Sequence, residues 1–146
     1  MRFVLYIFVA ILTFAFGVGL TWVSYRLVPV TVPFCEVVQH PTWYQWALVR
    51  VEGPARAIYG SAIIYDPSCK AEESAAVIFR DEGFQTSPDV ESFLADSNAE
   101  VRSAQVLVTG RFDPDATMGC FGPHLGIHAS QIELKLPVTL EPRPPR

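Results

Sequence analysis

Ser87-Pro88-Asp89-Val90-Glu91-Ser92-Phe93-Leu94 is the stretch on which the reading of the fold turns. Ser87 can cap a helix by accepting a backbone N–H through its hydroxyl, and Pro88 suits the first helical position because its φ is already helical and its missing N–H is not needed there. Asp89 and Glu91 place negative charge against the positive end of the helix dipole. Phe93 and Leu94 supply a small apolar face. The helix is expected to fade near Ser97-Asn98.

Working outward from this helix, the chain reads as strands on both sides. Upstream, Leu48-Val49-Arg50-Val51-Glu52 alternates with period two and stops at Gly53-Pro54, a turn signal. Ala57–Tyr65 is a second strand, ended by Asp66-Pro67-Ser68. Ala75–Phe79 is a third. Downstream, Gln105–Thr109 is a fourth strand, stopping at Gly110. Arg111 to Leu125, interrupted by Gly and Pro, reads as a long loop. Ile127–Leu136 is a fifth strand, in which Ile132, Leu134 and Leu136 alternate with Glu133 and Lys135. Phe34–Gln39 reads as a single helical turn, broken by Pro41-Thr42. Three strands, one helix and two strands is the element order of the OB-fold, a five-stranded Greek-key barrel. A parallel α/β sheet would need a helix after nearly every strand. The expected fold is therefore mainly β, a small OB-like barrel over residues 35–137. A linker at 27–34 precedes it and a proline-rich tail at 138–146, extended or disordered, follows.

The 146-residue chain is 50 % apolar and 18 % charged, which excludes a disordered or fibrous class. Much of that apolar content is concentrated at Phe3–Tyr25, 23 residues without a charge. As a helix such a run would be roughly 34 Å long, enough for a hydrocarbon layer of about 30 Å. Trp22 and Tyr25 would sit at headgroup level. The competing reading is a cleaved signal peptide, for which Ala15-Phe16-Gly17 is a loose cleavage motif, but Val18–Val23 continues the apolar run beyond it. An uncleaved single-pass anchor (residues 1–26) is the favoured reading. Arg2 before the run biases the domain toward the extracytoplasmic side.

The three cysteines, Cys35, Cys69 and Cys120, are widely spaced, with no C-x-x-C pair for a zinc ribbon or a thioredoxin-type motif. Outside the cytoplasm three pairings are possible. Cys35–Cys69 is favoured because it would staple the incoming segment to the early part of the domain. The alternative is three reduced, buried thiols.

Cys35, Tyr44, Leu48-Val-Arg-Val-Glu-Gly53, Ile64-Tyr-Asp-Pro-Ser-Cys69, Val108-Thr-Gly-Arg-Phe112 and Phe121-Gly-Pro-His-Leu-Gly126 together resemble a group of uncharacterised exported bacterial proteins. The resemblance spans residues 35 to about 134. It implies an OB-like domain and no particular activity. The chain departs from the group at Gln45-Trp46-Ala47, where a Gly-Lys turn is usual.

Few motifs carry chemistry. An OB-like barrel invites nucleic-acid binding, but eleven basic residues face fifteen acidic ones with no basic cluster, so no phosphate track is expected. Cys120, His124 and His128 form C-x3-H-x3-H, a metal or thiol candidate if helical; the glycines and Pro123 argue against a helix there. Without a bulge, His128 shares the parity of Ile132 and points inward, as a satisfied core histidine. No G-x-S-x-G and no phosphate-binding glycine loop occurs, and no catalytic residue, cofactor site or cofactor is expected. Asp113-Pro114-Asp115 reads as a turn. Trp43, Tyr44 and Trp46 are expected to pack over one end of the barrel, the alternative being a position at the membrane surface.

The sequence thus points to a membrane-anchored, extracytoplasmic interaction module for a protein or other envelope component, without catalytic activity. The alternative is a thiol- or metal-dependent activity on Cys120, His124 and His128. A ligand is expected near the second and third strands or beneath the Arg111–Leu125 loop.

Overall fold

The structure is a computed structural model that describes residues 11, 13–14, 27–58, 61–69, 75–95, 100–117 and 123–142. Nearly all of the apolar run at Phe3–Tyr25 lies outside these residues. Among the described residues no helix is long and apolar enough to cross a membrane.

The chain is mainly β. In order the elements are β1 (Val30–Thr31), α1 (Phe34–Gln39), a 3-10 turn (Pro41–Trp43), β2 (Leu48–Ile58), β3 (Ser61–Tyr65), β4 (Ala75–Gln85), α2 (Pro88–Leu94), β5 (Glu100–Thr117), β6 (Pro123–Leu134) and β7 (Thr139–Pro142). They form one seven-stranded sheet in the order β1-β2-β3-β4-β6-β5-β7, and β2 also pairs with β5. The pairings among β2, β3, β4, β6 and β5 therefore run in a ring. Within it, β4 lies parallel to β6 and the other neighbours are antiparallel.

The central strands alternate as half-buried strands do. Val49, Val51, Ala55 and Ala57 of β2, Ile64 of β3, Ile78 of β4, Val106, Val108 and Phe112 of β5, and Ile127 of β6 face one core. Val90, Phe93 and Leu94 of α2 enter the same core, where α2 packs against β2, β5 and β6. Ser87 accepts the N–H of Val90 at 3.4 Å, the expected cap. The helix stops at Leu94, three residues earlier than expected, and the exposed Ala95 carbonyl accepts from the Arg102 guanidinium instead.

Several boundaries differ from the sequence reading. Gly53-Pro54 lies inside β2 rather than in a turn, because Gly53 and Pro54 stay in register with Val106 and Gln105 of β5. Pro54 still lacks an N–H, yet the strand continues past it to Ile58. The span read as a loop, Arg111–Leu125, is largely a hairpin: β5 runs on to Thr117 and β6 starts at Pro123. Strands also extend into the expected linker and tail. Val30–Thr31 pairs in parallel with Val49–Arg50, and Thr139–Pro142 pairs with Glu100–Ser103.

Cys35 and Cys69 form a disulfide, with Cα atoms 5.2 Å apart and 34 residues of separation. It ties α1 to the turn after β3. That turn is held by Asp66, whose Oδ1 accepts the Ser68 N–H at 2.8 Å and its hydroxyl at 2.6 Å. The Cys69 N–H closes onto the Asp66 carbonyl at 3.1 Å, which sets the half-cystine opposite Cys35.

Candidate functional site

The side chains most suited to recognition gather on the outer surface of β4, β5 and β6, beside the start of β2. His128 is their centre. Between Thr109/Gln131 and Gly110/Ala129 the β5–β6 register slips, leaving Ser130 as an extra residue in β6. Before this bulge Ile127 and Ala129 point into the core; after it Ile132 does. The bulge reverses parity. His128 consequently points outward and stays about one-third exposed, rather than inward as alternation alone dictates.

The imidazole lies between two aromatic rings. Phe79 of β4 stacks on it with centroids 5.3 Å apart, and Trp46 with centroids 6.0 Å apart, each inclined by 22°. At its edge, Nε2 stands 3.5 Å from Asp113 Oδ2 on β5. Phe79 can lie flat here because Gly126 has no side chain: a Cβ at that position would come within 2.9 Å of the Phe79 ring and 2.4 Å of the Ala116 Cβ.

Trp46 reaches this position through an unusual backbone. Its φ is +59°, the left-handed region, which a bulky residue enters at a cost of about 1–3 kcal/mol. Three bonds hold it there. The Trp46 N–H donates to the Phe112 carbonyl at 2.7 Å, the Phe112 N–H donates to Ala47 at 3.1 Å, and the Arg111 guanidinium donates to the Trp46 carbonyl at 3.2 Å. The site thus presents two rings, an imidazole, a carboxylate and a guanidinium on one surface.

The aromatic trio before β2 divides. Tyr44 is buried and donates its hydroxyl to Glu36 at 2.5 Å, as a core residue should. Trp43 and Trp46 are not core residues, being 68 % and 41 % exposed. Trp43 stacks instead on His40, with centroids 4.2 Å apart. The short 3-10 turn carries Trp43 outward and leaves only Tyr44 facing in.

The candidate metal set is not assembled by a helix. His124 and His128 lie on one strand, where four residues span roughly 13 Å, so the spacing that would align them on a helix separates them here. Cys120 lies outside the described residues. A different grouping, Cys35, Asp66 and Cys69, brings ligand atoms within 4.8 Å of one another. Its two sulfurs are bonded to each other and are not thiolates, so the group is a staple rather than a metal centre. Asp66 is held below the usual carboxylate range, first by the Ser68 hydroxyl and then by the Ser68 N–H.

Among the described residues two grooves flank α2. One, about 470 Å³, lies between the start of α2 and β6, bounded by Thr86, Ser87, Asp89, Gln131 and Glu133. Its neighbour, about 440 Å³, is bounded by Ser92, Leu134, Leu136 and Val138. Neither brings together groups that could perform a reaction.

Comparison of the chain with protein-family models, with curated proteins and with solved structures finds no match.

Proposed function

We propose that the protein is a membrane-anchored, extracytoplasmic binding module with an OB-like barrel, and that it recognises a protein or other envelope component without catalysing a reaction. The ring of pairings β2-β3-β4-β6-β5, with its single parallel contact and α2 after β4, supports the OB-like reading. The uncharged 23-residue run supports the anchor. The Cys35–Cys69 disulfide fits an oxidising compartment.

The observation that carries the binding reading is the Trp46–His128–Phe79 stack with Asp113 at its edge. A strained tryptophan backbone held by three hydrogen bonds keeps an aromatic side chain at the surface. Rings with a few placed polar groups are what recognition surfaces use.

The experiment is site-specific photo-crosslinking in native membranes. Phe79→p-benzoylphenylalanine keeps a ring at the site, and the same probe at Glu82, exposed on the same strand, is the control. A discrete adduct from position 79, absent from position 82 and lost with His128→Ala, is expected. Equal adducts at both positions would overturn the binding reading. The other reading, a thiol- or metal-dependent activity on Cys120, His124 and His128, would require an activity that disappears with Cys120→Ser. His124 and His128 stand four residues apart on one strand, roughly 13 Å, which favours the binding reading over that one.

A further inference from the structure

We infer that the end of the domain bearing Trp43 and Leu27 rests in the headgroup layer of the membrane, so that the domain is docked on the bilayer and not merely tethered to it. The inference rests on the anchor reading. β1 runs parallel to β2 with Val30 opposite Val49. The chain therefore enters the fold at the end where β2 begins.

Among the described residues that end exposes apolar side chains: Leu27 and Val28 are 66 % and 59 % exposed and Trp43 is 68 % exposed. Trp43 lies three residues before Trp46, so their Cα atoms are at most about 10 Å apart. The apolar run ends at Tyr25, five residues before Val30, and an extended chain of that length reaches at most about 17 Å. The headgroup layer itself is about 5–8 Å deep on each side. Leu27 and Val28 fall within that short connection, and Trp43 belongs to the same end of the domain. Tryptophan is the residue best suited to this depth, with an apolar body and one polar N–H. Arg111, opposite Leu48 at this end, adds a cation suited to lipid phosphates.

The test uses the full chain reconstituted in phosphatidylcholine–phosphatidylglycerol vesicles. Trp22→Phe with Trp46→Phe leaves Trp43 as the sole tryptophan, and an intact Cys35–Cys69 link by mass spectrometry verifies folding; Trp22→Phe alone serves if the double variant does not fold. Lipids brominated near the glycerol end of the acyl chain should remove roughly half of the Trp43 emission, while acrylamide in the water quenches it little. Solvent-like emission, quenched by acrylamide and untouched by bromolipid, in a chain that resists carbonate extraction would overturn docking and leave the anchor standing. A chain released by carbonate, or a mature N-terminus near Val18, would overturn the anchor and the docking together.

Discussion

His128 and Asp113 face each other diagonally across the β5–β6 pair, Nε2 to Oδ2 at 3.5 Å, because one extra residue at Ser130 turns the histidine out of the core. The pair is partly exposed, so its contribution to stability is small, within the 0.2–1 kcal/mol or so typical of such pairs. A double-mutant cycle with His128→Gln and Asp113→Asn, measured by urea unfolding, should give a coupling below about 1 kcal/mol. Partner adducts through position 79 should fall much further than stability does. A coupling of several kcal/mol would mark the pair as a structural element instead.

The disulfide closes a loop of 34 residues, for which chain entropy gives about 4 kcal/mol. Cys35→Ser with Cys69→Ser should lower the unfolding free energy by about that amount, read as a fall in the urea midpoint at unchanged slope. Thiol titration of the unreduced, denatured protein should count one thiol per chain, and peptide mapping should place it at Cys120.

The Asp66–Ser68 turn gives a pH dependence of definite sign. Asp66 is lowered in the folded protein by the Ser68 hydroxyl and N–H, so its ionised form is favoured by folding. Its contribution is fully present above the ordinary carboxylate value near 4 and is lost as pH falls through the lowered folded value. Wild type and Ser68→Ala should therefore differ most above the ordinary carboxylate range and converge in stability as pH falls below it. Asp66 is only partly buried, so the difference will be small; parallel stability curves across that range would contradict the assignment.

The sequence makes an element legible where its signal is local. The Ser87 cap, Pro88 and the Phe93–Leu94 face carry their own reasons to be a helix, and α2 formed where they lie. Turn signals misled where tertiary pairing overrode them: Gly53-Pro54 continues a strand because β5 lies alongside with its partners in register. Arg111–Thr117 likewise continues β5 against β6, and Asp113-Pro114-Asp115 keeps its turn chemistry only as an irregularity in that ladder, where the Asp115 N–H donates to Asp113 Oδ1 at 3.0 Å. The site was the least legible part. His128 faces outward only because of a bulge, and a bulge leaves no mark in a strand's composition. Trp46 stands out only through its backbone, which two residues distant in sequence, Arg111 and Phe112, impose. One clue was available: Gly126, two residues before His128, marks a place where something must come close.

Two glycines around the site test how tightly it is built. At Gly110 a Cβ would sit 2.3 Å from the His128 carbonyl oxygen and 2.7 Å from the Ala129 Cα, so backbone must move to admit it. Gly110→Ala should cost at least about 2 kcal/mol, and it should displace the bulge that turns His128 outward. At Gly126 the nearest obstruction is the Ala116 Cβ at 2.4 Å, which moves only with the β5 backbone, and the Phe79 ring follows at 2.9 Å. Gly126→Ala should therefore cost stability comparable to Gly110→Ala, about 2 kcal/mol, while also removing the stack on His128. The two effects separate by measurement: urea midpoints give the stabilities, and His128 ring-proton shifts report whether Phe79 still lies over the imidazole. If Gly126→Ala leaves those shifts unchanged, the ring does not depend on the missing side chain, and the packing described for the site is wrong at that point.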